Sequence, residues 1–160
     1  MMNITVICLG KLKEDYLKNA VSEYSKRISA YGKLDIFELT PVKLSDEPSQ
    51  NEIAQALSKE AVEITKKIPN GSFVISLCVE GKKKSSEALA EEFKKCALSG
   101  KSSITFIIGS SYGLSETVKA SSDLRLSFSD MTFPHQLMRV MLLEQIYRAF
   151  QINNNGKYHK

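Results

Sequence analysis

The residues of this chain that could do chemistry cluster where runs of β-branched residues stop. Three such places stand out: Leu77 to Gly81 (LCVEG), Ile107 to Gly113 (IIGSSYG) and Leu126 to His135 (LSFSDMTFPH). Glycines at 81, 109 and 113 would let the main chain turn sharply and come close to a bound molecule. Each glycine alone reads equally well as an ordinary turn, and only their joint placement points to a pocket. In an open parallel sheet that pocket would lie beyond the carboxyl ends of the strands. The first strand-end loop, Gly10-Lys11-Leu12, lacks the G-x-G-x-x-G fingerprint of dinucleotide folds, and no Walker loop, G-x-S-x-G elbow or H-E-x-x-H motif occurs. The common nucleotide and hydrolase readings therefore lose their main support. Two charged pairs stand four residues apart on the last helix. His135 and Arg139 share a face near the third segment, where the plain reading is a hydrogen bond and an ion pair, and Glu144 with Arg148 reads as a helix salt bridge.

The elements that must position these segments follow from apolar periodicity. Asn3 to Leu9 (NITVICL) predicts a buried strand. Leu17, Ala20, Val21, Tyr24, Ile28 and Tyr31 recur at helical spacing until Gly32 stops them, and Leu34 to Leu39 predicts the second strand. A polar loop from Pro41 to Pro48 leads into a capping box, Ser49 to Glu52, which opens a helix with Ile53, Leu57, Ala61, Ile64 and Ile68 on one face. Pro69-Asn70-Gly71 ends it. Further strands are expected over Ser72 to Val79, Ile104 to Ile108 and Leu124 to Phe128, with a helix capped by Ser85 or Ser86 and a short one within Leu114 to Ser121. Pro134 suits the first turn of a long final helix. Strands alternating with helices throughout predict an α/β fold, a mostly parallel sheet with helices on both faces, in one domain spanning 1–160. The final helix is apolar around nearly its whole circumference, from Leu137 to Phe150, which leads us to expect a homodimer interface on the side the sheet does not cover.

Composition narrows the class. With 160 residues, 42% apolar and 25% charged, the chain has material for one sizeable core. No apolar run approaches the roughly 20 residues that span a bilayer, and Met1 to Leu9 is too short for a secretory signal, so a cytoplasmic protein without a membrane partner is expected. Cys8, Cys78 and Cys96 form no CxxC pair and, with only two histidines far apart, give no support for a metal. The net charge of +4 permits a nucleic-acid partner without demonstrating one, since Lys82, Lys83, Lys84 and the scattered lysines also suit solvated faces.

The block MTFPHQLMRVMLLEQIYRAF, the opening VICLGKLK and the closing Lys157-Tyr158-His159-Lys160 together resemble the ribosomal RNA large-subunit methyltransferase H family, a minimal branch of the SPOUT superfamily. The similarity runs over essentially all 160 residues. It implies S-adenosylmethionine-dependent methylation of N3 of a pseudouridine in 23S ribosomal RNA, and a C-terminal trefoil knot that composition and periodicity do not reveal. It places the cofactor site on Leu77, Gly109 and the segment Phe128, Ser129, Asp130, Met131, Thr132 and Phe133, the same strand ends singled out above. It also places the Tyr158-His159 pair at the active site, with Lys160 and Arg139 as further candidates. The chain departs from the family in two places: Ser110 stands where a second glycine is common, and Cys78 where an acidic residue is common.

Methyl transfer from a sulfonium is an in-line displacement, so the protein must orient the acceptor nitrogen, exclude water and help it lose its proton. His159 is the expected proton acceptor, with Tyr158 positioning the base, Lys160 gripping RNA, and Arg139 holding a phosphate or stabilising charge on the base. A chain with no separate RNA-binding domain predicts an assembled ribosome or large particle as substrate. Two rivals stay open: a non-catalytic ribosome- or nucleotide-binding factor on the same sheet, and a SPOUT enzyme acting on transfer RNA.

Overall fold

A computed structural model describes residues 1–160, the whole chain. The elements run β1 (Met2–Leu9), α1 (Asp15–Ile28), β2 (Gly32–Leu39), α2 (Gln50–Lys67), β3 (Phe73–Lys83), α3 (Ser86–Leu98), β4 (Ser103–Ile108), α4 (Glu116–Ser121), β5 (Leu124–Ser127) and α5 (His135–Asn153). All five strands are parallel and stand in the order β2-β1-β4-β3-β5. The carboxyl ends of β3, β4 and β5 are therefore side by side, as a shared pocket requires.

Strand alternation divides the core into two layers. Ile4, Val6 and Cys8 of β1 and Ile104, Phe106 and Ile108 of β4 pack with α1, α3 and α5, while Ile7, Leu9 and Ile107 pack with Ala61 and Ile64 of α2 and Val118 of α4. Phe106 is wholly buried in the larger layer beside Phe93, which in turn packs edge-on against Phe150. Its replacement by Ala would cost about 3–5 kcal/mol.

Local signals do what their chemistry suggests. The capping box on α2 is complete: Glu52 N–H donates to Ser49 Oγ at 3.1 Å, and Ser49 N–H donates to Glu52 Oε1 at 3.2 Å. Two details differ from the sequence reading. Gly32 does not stop α1, which ends at Ile28, but opens β2, where a Cβ would lie 2.4 Å from the Met2 carbonyl oxygen. Pro134 caps α5 from the residue before it rather than occupying its first turn. The apolar circumference of α5 is also largely used within the chain. It lies between α1 and α3 over the sheet, with Leu142, Leu143, Ile146, Ala149 and Phe150 buried.

Candidate active site at the carboxyl ends of three strands

A cavity of about 760 Å³ opens where β3, β4 and β5 end. Its first wall exists because β3 does not run straight. Leu77 and Lys82 both stand opposite Leu126 of β5, so residues 78–81 loop out of the ladder between them. Cys78, Val79 and Glu80 consequently line the cavity instead of pairing with β5. Gly81 closes the bulge at a point where a Cβ would meet the Arg125 backbone at 2.8 Å. Its lack of a side chain serves this close crossing of two strands.

The second wall is the turn after β4. Gly113 N–H donates to the Ser110 carbonyl at 2.8 Å, and Gly113 has φ +85°, a conformation that favours glycine. A Cβ on Gly109 would lie 2.4 Å from the Gly113 carbonyl oxygen, so the two ends of this turn touch backbone to backbone. The third wall, Leu126 to His135, is shaped by its own serines: Ser127 Oγ donates to the Ser129 carbonyl at 3.1 Å, and Ser129 Oγ accepts from Met131 N–H at 3.0 Å.

Of the residues assigned to cofactor from sequence, Leu77, Gly109, Phe128, Ser129, Met131, Thr132 and Phe133 line this cavity. Asp130 does not. Its carboxylate reaches across to Lys83 at 2.5 Å, tying the third wall to the far side of the bulge. Cys78, Glu80, Ser110 and Tyr112, which lie in the strand-end segments singled out from sequence without a role of their own, are also on the lining, and the sequence reading missed Lys119 and Met138 there. An ion pair between Glu80 and Lys119, 2.5 Å long, holds the Glu80 carboxyl below its ordinary range. Glu80 is thus the one ionised carboxylate on the lining, whereas burial raises the pKa of the neighbouring Cys78 thiol and keeps it neutral.

None of the four residues assigned to catalysis lines the cavity. Arg139 is 1% exposed, with Nη1 on Glu38 at 2.6 Å and Nη2 on the Gly10 carbonyl at 2.9 Å. In this arrangement its guanidinium secures the ends of β1 and β2 and offers no face to an RNA phosphate. The tail folds back along α5. Tyr158 donates to Glu144 and packs on Tyr147, and His159 stands between Arg148 at 3.0 Å and Glu87 of α3 at 2.6 Å. Met138 is the last residue of α5 on the lining, and Glu144, which holds Tyr158, stands six residues or about 9 Å further along the helix axis. Lys160 is exposed beyond it.

The site fits a sulfonium nucleoside on physical grounds. The turn after β4 is kept compact by Gly109 and Gly113, the surface is largely apolar for a flat base, and the Glu80–Lys119 pair supplies a carboxylate and an ammonium for polar groups. No three His, Cys, Asp or Glu side chains group as metal ligands, and no helix is long and apolar enough to cross a membrane.

Comparison with known proteins agrees with this geometry. The sequence profile of the family described as "Predicted SPOUT methyltransferase" matches residues 2–159. A protein of Methanococcus maripaludis strain C5 is 56% identical over 159 residues, covering 99% of this chain and all of the relative. The "Ribosomal RNA large subunit methyltransferase H 1" of Clostridium perfringens strain SM101 is 52% identical with the same coverage. Among solved structures, a probable methylase family protein from Haemophilus influenzae Rd KW20 shares the fold, with a TM-score of 0.57 at 15% identity over 99% of this chain and 71% of that one. A family profile over residues 2–159 and relatives 52–56% identical along their whole length place the chain in the SPOUT methyltransferases, within the ribosomal RNA large-subunit methyltransferase H family.

Proposed function

We propose that this chain transfers the methyl group of S-adenosylmethionine to N3 of a pseudouridine in 23S ribosomal RNA, on an assembled ribosome or large particle in the cytoplasm. The observation that carries this reading is the cavity at the ends of β3, β4 and β5, lined by the bulge residues Cys78 to Glu80, the close-packed turn from Gly109 to Gly113 and the segment after β5. Bound there, the cofactor supplies an electrophilic methyl with a neutral thioether as leaving group. Leu77, Gly109, Phe128, Ser129, Met131, Thr132 and Phe133 would hold it and keep water away.

The acceptor must lose its imide proton. We assign this to His159, whose ring is held by Arg148 and Glu87 in the free chain. Binding of RNA draws residues 157–160 off α5 so that Tyr158 and Lys160 orient the base and its backbone. Two copies pair through the apolar rim of the cavity, where Val79, Tyr112 and Met131 are exposed. The segment from β4 to α5 is threaded as the family's trefoil knot.

Mass spectrometry of ribosomal RNA from cells lacking the gene tests the proposal. One methyl should vanish from a single pseudouridine of 23S RNA. An unchanged 23S profile overturns the reading, and a methyl lost from transfer RNA instead transfers the activity to that substrate.

A further inference from the structure

We infer that Glu60 is a positioning residue for the cofactor cavity, acting through Ser110; this rests on the reading of that cavity as the methyl-donor site. Glu60 lies in the middle of α2 and is 5% exposed. A buried carboxylate is costly unless its oxygens are satisfied, and no lysine, arginine or histidine pairs with this one. Two neutral donors satisfy it instead. Val42 N–H, in the loop between β2 and α2, donates to Oε2 at 3.0 Å, and Ser110 Oγ–H donates to Oε1 at 3.2 Å. The first bond stays within the scaffold. The second crosses to the wall of the active site.

What makes that crossing consequential is the space around it. Behind the turn after β4 lies a second cavity of about 270 Å³, lined by Pro41, Val42, Leu57 and Glu60. Residues 110–112 line both cavities, so this wall stands between two voids and has little packing to fix it from behind. Its polar tie to α2 is the Ser110–Glu60 bond. Ser110 also accepts from Gly113 N–H at 2.8 Å, so a shift of Ser110 moves the closure of the whole turn against Gly109. Glu60 therefore sets how wide the cavity stands without touching its contents.

A purely structural Glu60 would affect melting temperature alone. A positioning Glu60 also affects donor affinity, and does so through Ser110. Calorimetric titration with S-adenosylmethionine separates these for the wild type, Glu60→Gln, Glu60→Ala, Ser110→Ala and the Glu60→Ala/Ser110→Ala double variant. The wild-type titration stands as the control, because absence of binding there sinks the methyl-donor reading itself. Given wild-type binding, Glu60→Ala should weaken affinity about tenfold, the size expected for one hydrogen bond to a charged group. Glu60→Gln should bind like the wild type, since its amide oxygen can accept from Val42 and its amide nitrogen can donate to Ser110. Ser110→Ala should weaken binding about as much as Glu60→Ala, and the double variant should match Glu60→Ala within about twofold. Should Glu60→Ala fail to fold, Ser110→Ala and Glu60→Gln decide the matter. Wild-type affinity in Ser110→Ala, or additive losses in the double variant, overturns the inference.

Discussion

The cavity and the tail are built from different physics. The cavity walls are held by contacts that cannot be loosened piecemeal: the Gly113 carbonyl occupies the space of a Gly109 side chain, and Arg125 backbone occupies that of Gly81. The tail is held by a few side-chain contacts, an exposed one from His159 to Glu87, a kind worth little in water, and a part-buried one from Tyr158 to Glu144 and Tyr147. One region is formed before any ligand arrives and the other is poised to leave its seat. Under the proposed function, this difference corresponds to a fixed donor site and a movable proton-handling arm.

The largest effect should come from the movable arm at the chemical step. His159→Ala is expected to lower turnover by roughly 10²–10⁴ if the ring is the general base, while calorimetry finds donor affinity unchanged. Near-normal methylation by that variant would leave the tail without a chemical role. The next effect tests which region Arg139 belongs to. Arg139→Ala removes a charge-assisted hydrogen bond to the part-exposed Glu38, worth about 1.5–3 kcal/mol, and should lower the melting temperature by about 3–12 °C. An unchanged melting temperature with lost RNA methylation would move Arg139 from the scaffold to the substrate.

Smaller effects probe the fixed wall and the latch. Gly109→Ala forces a methyl into the Gly113 backbone at an overpacking cost of about 1–3 kcal/mol, and donor affinity measured by calorimetry should fall about tenfold or more. Full affinity would mean that the wall yields. For the latch, the hydrogen bond to Glu144, with burial, pushes the Tyr158 phenol from 10.0 up to about 12. The neutral phenol is the form that docks. Because the folded value is the raised one, the seat is complete below about pH 10 and is lost as the pH rises through about 12. Ultraviolet titration of the wild type minus Tyr158→Phe should show one phenol ionising near the upper value, whereas ionisation near the ordinary value would show a tail already free.

How much of this was legible in the sequence follows from the range of the interactions. The helices and strands rest on local periodicity, and the α2 capping box spans four residues, so both could be read directly. Glycines 81, 109 and 113 marked the right strand ends, but the reason for Gly81 lies in a partner strand more than 40 residues away, and the bulge at 78–81 depends on that pairing. Glu80 lay in the segment Leu77 to Gly81 singled out from sequence, but it is the bulge that takes it out of the ladder and onto the lining. Arg139 read as available because its partner Glu38 is 101 residues distant. The apolar circumference of α5 was plain, yet periodicity cannot say whether a second copy or the chain's own α1 and α3 cover it. Asp130 sat in a segment whose other members line the cavity, and only Lys83, from the opposite side of the bulge, accounts for its outward turn.

A crystal structure of the chain with S-adenosylmethionine tests the central claim most directly. The donor should lie between the bulge at 78–81, the turn at 109–113 and the segment 127–133, with those walls placed as they are in the free chain. Density for the donor elsewhere, or a cavity rebuilt around it, would contradict the account.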